Sequence, residues 1–125
     1  MLDTHVLLWL LEDNPRLGQL ARRAITAAPR VFDSAISHAE LTIKQMIGRV
    51  QLPDDFVSGV REQGLHPLAF TDDHARAVAR FDDLARHDPF DRMLLAQADV
   101  EHLPFVTADR RLLGLGLPWV HDACL

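Results

Sequence analysis

Apolar and polar positions come in blocks along the chain, and the blocks predict an α/β order. Met1 and Leu2 form a strand stub. Thr4–Leu11 reads as a short helix, apolar nearly all round from Val6 to Leu11 and broken by Glu12-Asp13-Asn14-Pro15. Leu17, Leu20, Ala21, Ala24 and Ile25 recur at helical spacing, so residues 16–27 form an amphipathic helix that Pro29 ends. A short strand covers 31–36. Ser37 to Glu40 has capping-box spacing, which starts a helix with Leu41, Ile43, Met46 and Ile47 behind it and Gly48 as its cap.

The second half repeats the alternation. Residues 53–63 are helical with Phe56, Val57 and Val60 inward, and Gly64 closes that helix. Residues 65–70 form a strand that Pro67 pushes toward a sheet edge. Thr71-Asp72-Asp73 opens a helix burying Ala75, Val78, Ala79 and Leu84. In HDPFDRMLLAQA, residues 87–98, Asp88 is the N-cap and Pro89 suits the first helical position, where a missing N–H costs nothing. Asp91 stands in the capping-box position. A strand at 103–107, one or two helical turns at 109–114 and a last strand at 117–120 complete the order. Strands alternating with helices imply one domain over residues 1–125, with a mostly parallel central sheet flanked by helices.

Composition adds limits. The chain has 125 residues, 48% hydrophobic and 25% charged, which is ordinary for a globular domain. The longest apolar run, Val6 to Leu11, is far below the roughly 20 residues of a membrane span. No basic n-region or cleavage site marks a signal peptide. The lone Cys124 excludes an internal disulfide and fits a reducing cytoplasm. A net charge of -5 argues against nucleic-acid binding by bulk charge, so an enzyme acting on nucleic acid needs metal ions or a local basic patch.

Ligands of open α/β sheets sit beyond the carboxyl ends of the strands. Asp3, Glu40, Asp91 and Asp109 fall at such junctions. Converging carboxylates repel, and a divalent cation with hard oxygen ligands, Mg²⁺ or Mn²⁺, removes the conflict. The matching chemistry is phosphodiester hydrolysis. Each acid also has an ordinary reading. Glu40 can be a capping acid or the i,i+4 partner of Lys44, Asp91 an acid favoured by the helix dipole, Asp109 an N-cap and Asp3 a solvated strand end.

Four stretches carry a resemblance: LDTHVLLWLL at 2–11, SAISHAELTIKQMIGRVQL at 34–52, HDPFDRMLLAQA at 87–98 and FVTADRRL at 105–112. Together they resemble the PIN-domain family, and more narrowly the VapC-type toxins of bacterial toxin–antitoxin pairs. The resemblance implies an endoribonuclease dependent on Mg²⁺ or Mn²⁺, usually a homodimer, held inactive by a cognate antitoxin. The family's acids map onto Asp3, Glu40, Asp91 and Asp109, with Asp3, Asp91 and Asp109 as metal contacts and Glu40 positioning the metal or its water. Such proteins carry several apolar residues before the first Asp. Here there are two, which means a shortened first strand or a start upstream.

Other residues have paired readings. Arg92 and Arg110 are assigned to substrate. With Arg111, Lys44 and Arg49 they form a basic patch or ordinary surface ion pairs. Thr107 is grouped with the substrate-side residues, and its hydroxyl either supports the acids or caps the strand end. His5 and His87 lack partners at zinc spacing and read as structural or near substrate, not as ligands. Trp9 and Phe90 stack on a base or pack in the core. The competing functions are a non-catalytic PIN-fold module that binds protein or RNA, DNA in place of RNA, and a receiver-type signalling domain. The last wants an acidic pair after its first strand and a late Lys, and neither is present in LDTH or TADRR.

Overall fold

The computed structural model describes residues 1–125. Its elements run α1 (Thr4–Leu11), α2 (Gln19–Ala27), β1 (Phe32–Ser34), α3 (Ala35–Met46), α4 (Phe56–Glu62), β2 (His66–Leu68), α5 (Asp72–Ala77), α6 (Pro89–Glu101), β3 (Phe105–Thr107), α7 (Arg110–Leu113) and β4 (Val120–Asp122). Two short 3₁₀ turns, Val78–Arg80 and Asp82–Leu84, link α5 to α6.

All strand pairing is parallel. β1 pairs with β2, Phe32 opposite His66, and β3 pairs with β4, Phe105 opposite Val120. The first three residues join the two pairs. Leu2 N–H donates to Phe32 O at 3.1 Å on one side. On the other, Val106 N–H donates to Met1 O and Asp3 N–H to Val106 O, both at 3.0 Å. The order is therefore β2, β1, the Met1–Asp3 stub, β3, β4. Pro67 lies in β2, which pairs with β1 alone, as its missing donor requires.

Side chains alternate across a strand, and the stub divides the core accordingly. Leu2 belongs to a cluster with Val6, Leu7, Leu17, Leu41 and Val60. Met1 belongs to another with Leu94, Leu95, Phe105 and Leu112. Thus α1, α2 and α4 cover one face and α6 and α7 the other. A mostly parallel sheet between helices agrees with the α/β expectation.

Several local expectations are corrected. The cap of α3 is Ser34, not Ser37: its Oγ accepts from Ile36 N–H at 3.0 Å, so β1 ends and the helix begins three residues early. Glu40 is then too deep in α3 to be a capping acid. Ile43, Met46 and Ile47 are exposed, Met46 by 80%. Val57 also faces outward, because the inward stripe of α4 is Phe56 and Val60. In α5 the buried residues are His74 and Ala77, while Ala75 and Ala79 are exposed. Thr71 sets this phase: its Oγ1 accepts from His74 N–H, and its own N–H donates to His74 Nδ1 at 3.0 Å. The last strand is Val120–Asp122, set by its register on β3.

Candidate active site

Asp3, Asp91 and Asp109 stand at or next to helix starts, and Glu40 stands inside α3. Asp3 ends the stub and caps α1. Its Oδ1 accepts from Thr4 N–H at 2.7 Å, and its Oδ2 accepts from Thr107 Oγ1 at 2.5 Å. With two residues before it, Asp3 is nonetheless buried and fixed. Thr107, at the end of β3, has no exposed surface. Its hydroxyl donates to Asp3 and accepts from Asp109 N–H at 3.0 Å. Thr107 is thus corrected from the substrate group to a support that ties Asp3 to the Asp109 turn.

Glu40 is buried on α3. Thr4 Oγ1 donates to its Oε1 at 2.8 Å, and Lys44 Nζ lies 2.7 Å from its Oε2. The i,i+4 pair is therefore present, and it neutralises an acid that burial would otherwise penalise. Asp91 stands in the first turn of α6, which Asp88 caps through Phe90 N–H. It makes no capping box. Its Oδ2 lies 2.8 Å from His87 Nε2. Asp109 caps α7, its Oδ1 accepting from Arg111 N–H at 2.8 Å, while its Oδ2 lies 3.4 Å from the same His87 nitrogen.

The structure gathers Asp91, Asp109 and His87 most tightly: one ligand atom from each lies within 4.8 Å of the others. Asp3 adjoins this group electrostatically, and Glu40 in turn adjoins Asp3. Burial pushes the Asp91 carboxyl up to about 7; the charge of Asp3 adds to this, the His87 hydrogen bond opposes it, and Asp88 and Asp109 push it up further. Burial likewise raises Asp3 against its hydrogen bonds from Thr107 and Thr4, and the charge of Glu40 adds to the rise. Carboxylates so placed are hard donors that fit a divalent cation, which would stabilise the ionised forms that burial disfavours.

The arginines separate. Arg110 pairs with Asp122 at 3.0 Å, and Arg111 reaches His87 Nδ1 at 3.0 Å. Arg92, beside Asp91, makes no ion pair, and its buried Nε has no hydrogen-bond partner. Trp9 packs against the core. Two polar groups have roles that spacing does not show. His87, which the sequence puts near the acids, stands between Asp91 and Asp109. Asp33 carries no signal in spacing, because its charged partner Arg61, NH1 at 2.7 Å, lies 28 residues on; His38, five residues on in α3, adds Nε2 at 2.6 Å. Burial opposes ionisation of Asp33, but these hydrogen bonds and the Arg61 charge hold its carboxyl below the ordinary range. With both partners local to β1, α3 and α4, Asp33 is a structural ion pair.

Comparison with known proteins places this arrangement. The family model for the PIN domain matches residues 1–116. Ribonuclease VapC22 of Mycobacterium tuberculosis is 31% identical over 114 residues, spanning 90% of this chain and 88% of the relative. Among solved structures, a toxin–antitoxin complex from Klebsiella pneumoniae superposes with a TM-score of 0.64 at 19% identity, covering 95% of this chain and 92% of that one. VapBC2 from Rickettsia felis, bound to a DNA fragment from its promoter, gives 0.69 at 15% identity, covering 98% and 95%. The two structures share the fold, and the family model and the ribonuclease relative, each aligned along most of the sequence, carry the kinship: the chain belongs to the PIN-domain family.

Proposed function

We propose that this protein is a VapC-type endoribonuclease, the toxin of a toxin–antitoxin pair, working as one PIN domain over residues 1–125. The observation that carries this reading is the meeting of Asp91 and Asp109 beside Asp3 at the carboxyl edge of the sheet, in a chain similar to a ribonuclease. Asp3, Asp91 and Asp109 would hold Mg²⁺ or Mn²⁺. When bound, the ion supplies a water of lowered pKa and neutralises charge on the leaving oxygen.

The chain's own residues do the rest. Thr107 and Thr4 N–H fix both oxygens of Asp3. Thr4 and Lys44 hold Glu40 in one rotamer, from which it orients the attacking water. Arg92 makes no ion pair; its Nε is buried, and the outer nitrogens of its guanidinium would take a phosphate of the substrate. Arg110 and Lys44 trade their present acid partners for phosphate only at some cost, and so contribute less.

The partners follow from the same kinship. An antitoxin protein would cover the acids, and a second copy would complete a homodimer; both relatives of known structure come from toxin–antitoxin systems. No helix is long and apolar enough to cross a membrane, and we place the protein in the cytoplasm with its RNA.

The test is cleavage of total RNA with Mg²⁺ or Mn²⁺ present or chelated. The parent should cut only with the ion, and Asp91→Asn should lose at least about 100-fold in rate while keeping its circular dichroism spectrum. Cutting by Asp91→Asn at the parent rate would remove the proposed site. RNA binding without cleavage under every metal condition would make the protein a non-catalytic module.

A further inference from the structure

We propose that His87 is a positioning residue for the Asp91–Asp109 pair, locked by Arg111 into the tautomer that donates from Nε2 and therefore does not ligate a cation. This rests on the metal-dependent reading above and names a part of that site.

Arg111 fixes the tautomer. A guanidinium only donates hydrogen bonds. Arg111 NH1 lies 3.0 Å from His87 Nδ1, so Nδ1 must present its lone pair. A neutral ring then carries its proton on Nε2, the nitrogen that faces the acids. That N–H is 2.8 Å from Asp91 Oδ2 and 3.4 Å from Asp109 Oδ2, so it donates chiefly to Asp91 and leans on Asp109. The ring is 7% exposed, which leaves it little room to turn.

The contacts form a closed circuit. Arg111 N–H caps on Asp109 Oδ1 at 2.8 Å, and the Arg111 side chain returns to His87. The start of α6 and the start of α7 are thereby stitched through one imidazole. The chemistry suits the task. Two carboxylates brought together repel, and a fixed cation between them would compete with a metal ion. A neutral N–H lowers the repulsion without that competition, and hydrogen bonds of this kind orient carboxylate ligands. Direct ligation through Nε2 would require the proton to move to Nδ1, where it would oppose an Arg111 donor.

Three readouts test this, none of which needs substrate. In a long-range ¹H–¹⁵N spectrum at mildly alkaline pH, His87 should show a bare Nδ1 and a protonated Nε2; the reverse tautomer overturns the proposal. In calorimetry, His87→Ala should weaken Mn²⁺ binding by about 10-fold, whereas His87→Gln, which restores an N–H donor, should stay within about threefold of the parent. Equal losses in both variants, or no loss in His87→Ala, overturn it. Spin-echo spectra of the Mn²⁺-loaded parent should show no directly coordinated nitrogen, and a coordinated nitrogen overturns it. A parent that binds no Mn²⁺ at all contradicts the metal-dependent function, while the tautomer result still judges the hydrogen-bond lock by itself.

Discussion

A carboxyl group pushed up to about 7 makes Asp91 costly to the fold at neutral pH. Its ordinary value is 3.8. Below that value both folded and unfolded chains hold the proton, and the residue is neutral to stability. Between 3.8 and about 7 the unfolded chain has released the proton and the folded chain retains it, so stability falls as pH rises through this window. Asp91→Asn removes the penalty. It should be more stable than the parent by about 1–3 kcal/mol at pH near 8 and indistinguishable from it near pH 4, as measured by urea denaturation at both values. A variant less stable than the parent at the higher pH would mean that the His87 hydrogen bond outweighs burial. His87 also marks what the sequence could not yield at this scale. The residue was legible as a neighbour of Asp88 and Asp91, but its second partner, Asp109, lies across the fold and carries no signal in spacing.

Elements were legible wherever a cap or breaker was unambiguous. Asp88 with Pro89 placed the start of α6, and Thr71 placed the start of α5. The reading failed where two candidates stood in one stretch. Ser34 and Ser37 both precede good helix sequence, and Ser37 has Glu40 at capping-box spacing. The choice falls to Ser34 because its hydroxyl meets buried Gln97 from α6, a contact no local pattern contains. Exposed Met46 and Ile47 make a separate point: apolar spacing shows that a face is apolar, not that something covers it. Ser34 therefore works twice, capping α3 and satisfying Gln97, which also donates to Ala69 O at 3.3 Å. Ser34→Ala should cost about 2–4 kcal/mol, the sum of a lost cap and an unpaired buried amide oxygen, read from the denaturant midpoint. A loss below about 0.5 kcal/mol would show that neither role matters to stability.

For the molecule as a whole, the strand order was not readable, although the parallel alternation was. Three-residue strands carry too few side chains to declare neighbours, and the join depends on backbone hydrogen bonds of Met1, Leu2 and Asp3. The helix-start addresses of Asp3, Asp91 and Asp109 were nonetheless visible, because caps and first turns are local features, whereas Glu40 lies deeper in α3 than its spacing implied; their mutual electrostatics appear only in the fold. The net charge of -5 sets how RNA is met. Beside the acids, Lys44 and Arg110 already have carboxylate partners and Arg111 is tied to His87, so few cations at the site itself are left for phosphates. The apparent affinity for single-stranded RNA should fall with salt at a log–log slope no steeper than about −3, and Arg92→Ala should flatten it by about 0.7. A slope beyond about −6 would mean that RNA engages many cations away from the acids.

Calorimetric titration of Mn²⁺ into the parent and into Asp91→Asn, carried to millimolar concentration, tests the convergence of the acids on a divalent cation without any knowledge of the RNA target. Weak, saturable binding to the parent is expected, with protons released near neutral pH as Asp91 ionises, and no binding to the variant. Binding that is equal in the two proteins, or absent from both, would contradict it.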